Sequence, residues 1–272
     1  MVYGLMALGL SVIFGVVRVV NFAHGEMMTI AMYAAVGLFS AFGLDPFLAA
    51  IPVAAAFFVL GYLLQAGLIN PFITRPEHSQ FMLMVAVALI MVNGLLMAFG
   101  PDARNVQTSY QLDSWEIGKI LIDKPRAYAA AMAAATSICL FVFFRKTLTG
   151  KAIRACADNN LGALVVGLNV KHLYALTFGL GSACVAVAGC MMILFLDVTP
   201  NLGPGYTLLA FIIVIVGGLG SMTGALLGGV LIGLSEALAG LYITPSAKSM
   251  VSFGLLILVL LLRPQGLLGR KP

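Results

Sequence analysis

Residues 150–171 read GKAIRACADNNLGALVVGLNVK, a polar, net-positive island in an otherwise oily chain. Lys151, Arg154 and Lys171 stand against one acid, Asp158, and Arg145 and Lys146 lie just before it. A chain so poor in charge has to place this stretch outside lipid. The pattern reads as a short helix on which something docks. Its contrast with the flanking sequence decides the fold class.

Outward from the island, apolar residues make up 61% of the 272, charged residues 9%, and the mean hydropathy is +1.07. A soluble domain carries about 25% charged residues. This chain has too little polar surface to cover itself in water, so most of it is solvated by lipid. Its net charge of +5 reads as loop charge that orients the chain in a membrane. No nucleic-acid module is legible. No cleavable signal peptide is read either, because Met1 leads straight into an apolar stretch.

A membrane-spanning helix needs about 20 apolar residues. Nine runs qualify as candidates: 1–23, 26–44, 46–69, 79–99, 127–144, 172–197, 205–219, 222–242 and 247–262. The expected fold is an all-α, polytopic membrane protein of about 8–10 crossings, some broken, forming one domain over 1–272. Region 145–171 holds five Lys/Arg and one acid, which assigns it to the cytoplasm. The tail, with Arg263, Arg270 and Lys271, is assigned to the same side. Loop 100–126 balances four acids against four bases and falls outside, and loop 70–78 falls inside. Counting back through nine spans puts the N-terminus outside.

Gly220, Gly224 and Gly228 recur every four residues, as do Gly229, Gly233 and Ala237. Small residues at i and i+4 make a flat stripe that lets helices approach closely in lipid. Ser11, Gly15 and Gly25 loosely echo Ser182, Gly189 and Gly203, a faint internal repeat of the kind on which many transporters are built.

Polar groups inside apolar spans are costly and usually face a partner or a water-filled path. The first such cluster is Arg18, Asn21, Phe22, His24, Gly25 and Glu26. As a continuous helix it would set Arg18, Asn21, Phe22, Gly25 and Glu26 on one face. If the helix breaks at Gly25, freed backbone groups could hold the two ends of a zwitterion. A third reading is an interfacial turn with Arg18 snorkelling to headgroups. The second candidate is Glu236, which could meet a substrate ammonium, pair with Lys248, or bond a neighbouring helix.

Metal catalysis finds no support. His24, His78 and His172 sit at ends of runs, and Cys139, Cys156, Cys184 and Cys190 form no CxxC pair. There is no P-loop and no nucleophile elbow, so any ATP hydrolysis has to come from another chain. An ion-coupled secondary transporter working alone would have only Glu26 and Glu236 as deep titrating acids. An intramembrane enzyme would lack a nucleophile–base pair.

Four segments together resemble the permease subunits of bacterial branched-chain amino-acid ABC importers. They are ALGLSVIFGVVRVVNFAHGE at 7–26, TGKAIRACADNNLGALVVGLNV at 149–170, GGLGSMTGALLGGVLIGLSEAL at 217–238 and VSFGLLILVLLLRPQGLLGR at 251–270. The likeness covers nearly the whole chain; importers of urea and short amides look similar. The resemblance implies a multi-pass inner-membrane subunit working by alternating access. Its partners would be a second homologous permease, two cytoplasmic ATPases that hold ATP and magnesium, and a periplasmic binding protein. The chain itself would bind no cofactor. The island then corresponds to the coupling loop that docks on the ATPase, with Arg154, Ala155, Ala157, Asp158, Ala163 and Gly167 as docking residues. Family members usually carry a polar lead-in before the first span, whereas Met1 opens inside it here.

Overall fold

The computed structural model describes residues 1–111, 113–117, 120–244 and 247–269. Arg270 and Lys271 lie outside the described residues. The helices are α1 Val2–Val17, α2 His24–Phe42, α3 Pro46–Leu64, α4 Glu77–Phe99, α5 Lys124–Lys146, α6 Leu148–Asp158, α7 Asn160–Val165, α8 Val170–Met192, α9 Gly203–Gly217, α10 Met222–Tyr242 and α11 Ala247–Leu262. Each apolar run contains one of these helices, and seven among the described residues are long and apolar enough to cross a membrane. They are α2, α3 with its extension to Phe72, α4, α5, α8, α9 with the turn before it, and α10. α1 and α11, with 16 residues each, are apolar but span only about 24 Å, short of a hydrocarbon core of about 30 Å. The outer faces of α4 and α11 expose Ile90, Met97, Leu261 and Leu262, as lipid-facing helices do.

Two local features depart from the sequence reading. The loop at 100–126 is not wholly irregular: β1 Ser114–Ile117 and β2 Ile120–Asp123 pair antiparallel, adding a small hairpin to the all-α bundle. The 46–69 run does not end as a plain α-helix. It widens into a π turn at Gln65–Ile69, where the Gln65 side chain donates to Asn70 at 3.0 Å. π turns commonly mark places where a helix is bent for a purpose.

Elsewhere capping side chains set the boundaries. Asp45 accepts the Phe47 amide and opens α3, Thr147 accepts Gly150 and opens α6, and Asn159 accepts Gly162 and opens α7. Asn169 accepts His172 and opens α8. Each satisfies a first-turn N–H that the helix itself leaves unpaired. α7 closes at Gly167, whose φ of 85° lets the Leu168 amide return to the Ala163 carbonyl.

The bundle has an internal two-fold relation. α1 crosses α8 where Gly9 meets Gly181: a Cβ on Gly9 would lie 2.6 Å from the Gly181 carbonyl oxygen, and one on Gly181 would lie 2.7 Å from that of Gly9. α2 meets α9 where Gly25 faces Gly203. α3 runs antiparallel along α8, and α10 runs antiparallel along α1, from Gly15 against Gly220 to Tyr3 against Gly233. Exchanging α1–α4 with α8–α11 reproduces these pairings. α3 follows α1 in direction and opposes α8, so α1 and α8 point opposite ways and the repeats are inverted, an arrangement common in transporters. The pairings refine the sequence echo. Gly25 and Gly203 are equivalent, but Gly15 and Gly189 are not, since Gly15 faces Gly220 while Gly189 faces Met28 and Ala31. Gly9 and Gly181 are the better pair.

Candidate functional site

The first run is not one helix. α1 stops at Val17, and Arg18 takes a left-handed conformation (φ 58°) while its N–H still bonds the Phe14 carbonyl. A non-glycine residue there costs roughly 1–2 kcal/mol, so the surroundings must enforce it. The Asn21 side chain accepts the Ala23 amide at 3.0 Å, a local turn that starts α2 at His24. The His24 Nε2–H donates to the Met6 carbonyl at 2.9 Å. Met6 lies eleven residues before Val17, about 16 Å back along α1. The chain between the helices therefore doubles back through the bundle, and α2 begins deep inside it.

This arrangement corrects two readings of residues 18–26. Arg18, Asn21, Phe22, Gly25 and Glu26 do not share a helical face, and the break falls at 18–23 rather than at Gly25, which sits in the first turn of α2. Asn21, His24 and Glu26 are buried, so this is no interfacial turn; Arg18 alone of the polar residues is exposed. Phe22 packs edge-on to Phe81 and against Phe211.

α9 also begins deep in the bundle, after a non-helical stretch and a 3-10 turn at Pro200–Leu202. The starts of α2 and α9 meet, and Thr207 joins them. Its Oγ1 accepts the Gly25 amide at 2.8 Å and donates to Glu26 Oε2 at 3.0 Å. The amide that a helix break would free for a ligand is thus already satisfied. A Cβ on Gly203 would stand 3.0 Å from Glu26 Cα, so the crossing has no room for a substrate in this conformation. Glu236 is elsewhere. It is buried on α10 and accepts a hydrogen bond from Ser252 of α11 at 2.6 Å, which matches its role as a helix–helix bond.

Gly224 and Gly228 of α10 lie against Gly217 and Ile213 of α9, whereas Gly229 faces Gly4 of α1. Gly220 is not part of the helical stripe. It lies in the turn before α10 with φ 76° and meets Gly15.

The island folds into α6 and α7 at the end of the bundle shared by Val17, Glu77, Val170 and Gly217. Gly150 allows α6 to fold tightly against Phe143 and Phe144 of α5, and Ile153 and Cys156 are buried beneath it. Burial pushes the Cys156 thiol pKa up. Arg154, Ala155, Asp158 and Gly167 face outward, Ala157 is half-buried, and Ala163 is buried against the bundle. Ala163 therefore supports the loop from below and offers no docking surface. The surface instead carries apolar residues that the sequence reading passed over: Leu161, Leu164, Val165 and Val166, with Val165 87% exposed. The available signal was four large apolar side chains inside a loop too polar to enter lipid.

Between α1, α4, α5, α6 and the turn before α10 lies a cavity of about 1230 Å³. Arg18, Arg145, Arg154, Glu77, His78 and Asp158 border it at the island end, and Ser11 lines it further inside.

Helices that cross a membrane, inverted halves and two interrupted helices meeting inside the bundle define a multi-pass transport protein. The profile described as the permease component of the branched-chain amino acid transport system matches residues 1–260, and the chain belongs to that family. It is 31% identical to the Escherichia coli K12 high-affinity branched-chain amino acid transport system permease protein LivH, over 98% of this chain and 91% of that protein. It is 29% identical to BraD of Pseudomonas aeruginosa, covering 98% and 92%. A weaker likeness, 27% over 49% of this chain and 44% of the other, joins it to a probable branched-chain amino acid transport permease protein LivM of Methanocaldococcus jannaschii. No solved structure matches significantly.

Proposed function

We propose that this chain is the membrane-spanning permease subunit of an ATP-driven importer for leucine, isoleucine and valine, working by alternating access in a bacterial inner membrane. The family and the named activity of its relatives support the substrate class. The observation that carries the ATP-driven part is the exposed apolar surface of α7 and the residue just after it, Leu161, Leu164, Val165 and Val166, flanked by Arg154 and Asp158. A patch of that kind outside the lipid span marks a protein contact. In this reading 145–171 is the cytoplasmic coupling loop, 100–126 is extracytoplasmic, and 1–272 is one permease domain. Two ATPase subunits with ATP and magnesium dock on the island, a second permease pairs within the membrane, and a periplasmic binding protein delivers substrate.

Within that cycle the α2/α9 crossing is a closed gate. Arg18, Asn21, Phe22, His24, Gly25 and Glu26 shape and lock it, and substrate passes only when the two helix starts separate. Glu236 holds α10 to α11.

The test is uptake of labelled leucine by vesicles holding this chain with its second permease, ATPases and binding protein. Uptake that needs ATP and every one of these partners supports the reading. Uptake that persists without the ATPases and collapses with the proton or sodium gradient overturns it. Transport of urea with no transport of leucine overturns the substrate assignment.

A further inference from the structure

We propose that the cavity at the island end binds the headgroup of a singly anionic membrane phospholipid, such as phosphatidylglycerol, from the leaflet on that side. Three observations converge on it. Arg18, Arg145 and Arg154 bring three guanidinium groups to its border. Ser11, fully buried and lining the cavity, has a hydroxyl with no partner among them. Phe81 and Phe141 give the remaining wall an apolar surface.

Size favours an occupant larger than a single amino acid. At about 1230 Å³ the cavity exceeds the roughly 300–1,000 Å³ of an ordinary small-ligand pocket, so one amino acid would leave most of it empty. α4 packs along α2 and against the turn at 200–202, and α4 and α5 each contribute a wall of the cavity. Phe81, 45% exposed, stands on the α4 wall of the cavity. Among the described residues on its border, three arginines and the two acids Glu77 and Asp158 sum to one formal positive charge, which a singly anionic headgroup complements. Basic pockets between helices at the cytoplasmic face are the recurrent form of anionic-lipid sites. The site rests on the membrane reading of the helices and is independent of what docks on α7.

The experiment uses the full chain in bilayers, with Trp115→Phe removing the native tryptophan and Phe81→Trp placing a fluorescent reporter on the cavity wall. Brominated phosphatidylglycerol is expected to quench that reporter at a mole fraction on the order of tenfold lower than brominated phosphatidylcholine. Arg18→Gln with Arg145→Gln abolishes that preference, while Arg18→Lys with Arg145→Lys keeps it. Equal quenching by the two lipids in the parent protein overturns the proposal, as does a preference that survives in the Gln pair. Relief of quenching by inorganic phosphate or leucine overturns it too, because the occupant is then a soluble solute.

Discussion

Thr207 of α9 donates from its hydroxyl to the Glu26 carboxylate of α2 at 3.0 Å while accepting the Gly25 amide at 2.8 Å. One side chain thereby ties together the starts of two helices through residues 181 positions apart. Both partners are buried, so neither finds water if the hydroxyl is removed.

Thr207→Val keeps the volume and removes both bonds. Leaving a buried amide and a buried carboxyl without partners is expected to cost about 2–5 kcal/mol, and Thr207→Ser to cost much less. The midpoint of thermal unfolding in detergent reads the difference. Equal midpoints for the Val and Ser variants would contradict the role assigned to the hydroxyl.

Glycine substitutions separate contact from composition. At Gly25 a Cβ would enter the space of Gly203 and Thr207, and at Gly9 that of Gly181. Either replacement by Ala forces backbones apart and is expected to cost about 1–3 kcal/mol. Gly94 meets nothing within 4 Å, so Gly94→Ala is expected to be neutral or to stabilise by up to about 1 kcal/mol. Yield of monodisperse protein and its unfolding midpoint check the contrast.

Leu164→Ser with Val165→Ser removes exposed apolar surface and disturbs no packed core. If α7 is the docking element, co-purification of the ATPases falls at least about tenfold while the permease itself stays folded. Arg154→Ala with Asp158→Ala is expected to leave assembly largely intact and to uncouple ATP hydrolysis from uptake. Undiminished ATPase binding in the Leu164/Val165 variant counts against the docking face.

The Tyr110 hydroxyl donates to Asp45 at 2.6 Å, joining the 100–113 loop to the turn before α3. Burial, then the Asp45 carboxylate, raises its pKa well above the ordinary value of 10.0. Because the folded value is raised, the contact contributes stability fully below about pH 10 and loses it as alkaline pH first ionises the unfolded chain. Asp45→Asn is expected to let one tyrosine ionise at lower pH, seen by absorbance in the near-ultraviolet phenolate band, and to shrink the alkaline loss of stability.

Much of the bundle was legible because its signals are local. Apolar length marked every long helix, and Asn159, Asn169, Thr147 and Asp45 cap helices with side chains that reach two or three residues ahead. The candidate site was legible only as a list. Arg18 to Glu26 stood out because polar groups are rare in such a chain, but periodicity could not say whether they formed a face, a break or a turn. Ala163 passed as a surface residue and Leu161 to Val166 passed unnoticed, since exposure depends on how the loop folds back on the bundle.

The sequence by itself determined the membrane class, the positions of the apolar helices, the polar island and its membership of a permease family. These follow from composition and spacing, which act over one or two helical turns. Tertiary structure alone decided that the chain doubles back after Val17, that Gly25 meets Gly203, that Thr207 closes the crossing and that α7 presents an apolar surface. Each of these depends on a contact between segments far apart in the chain. The free energy of such a contact comes from close approach and from burial without water, and neither is written in the local order of residues.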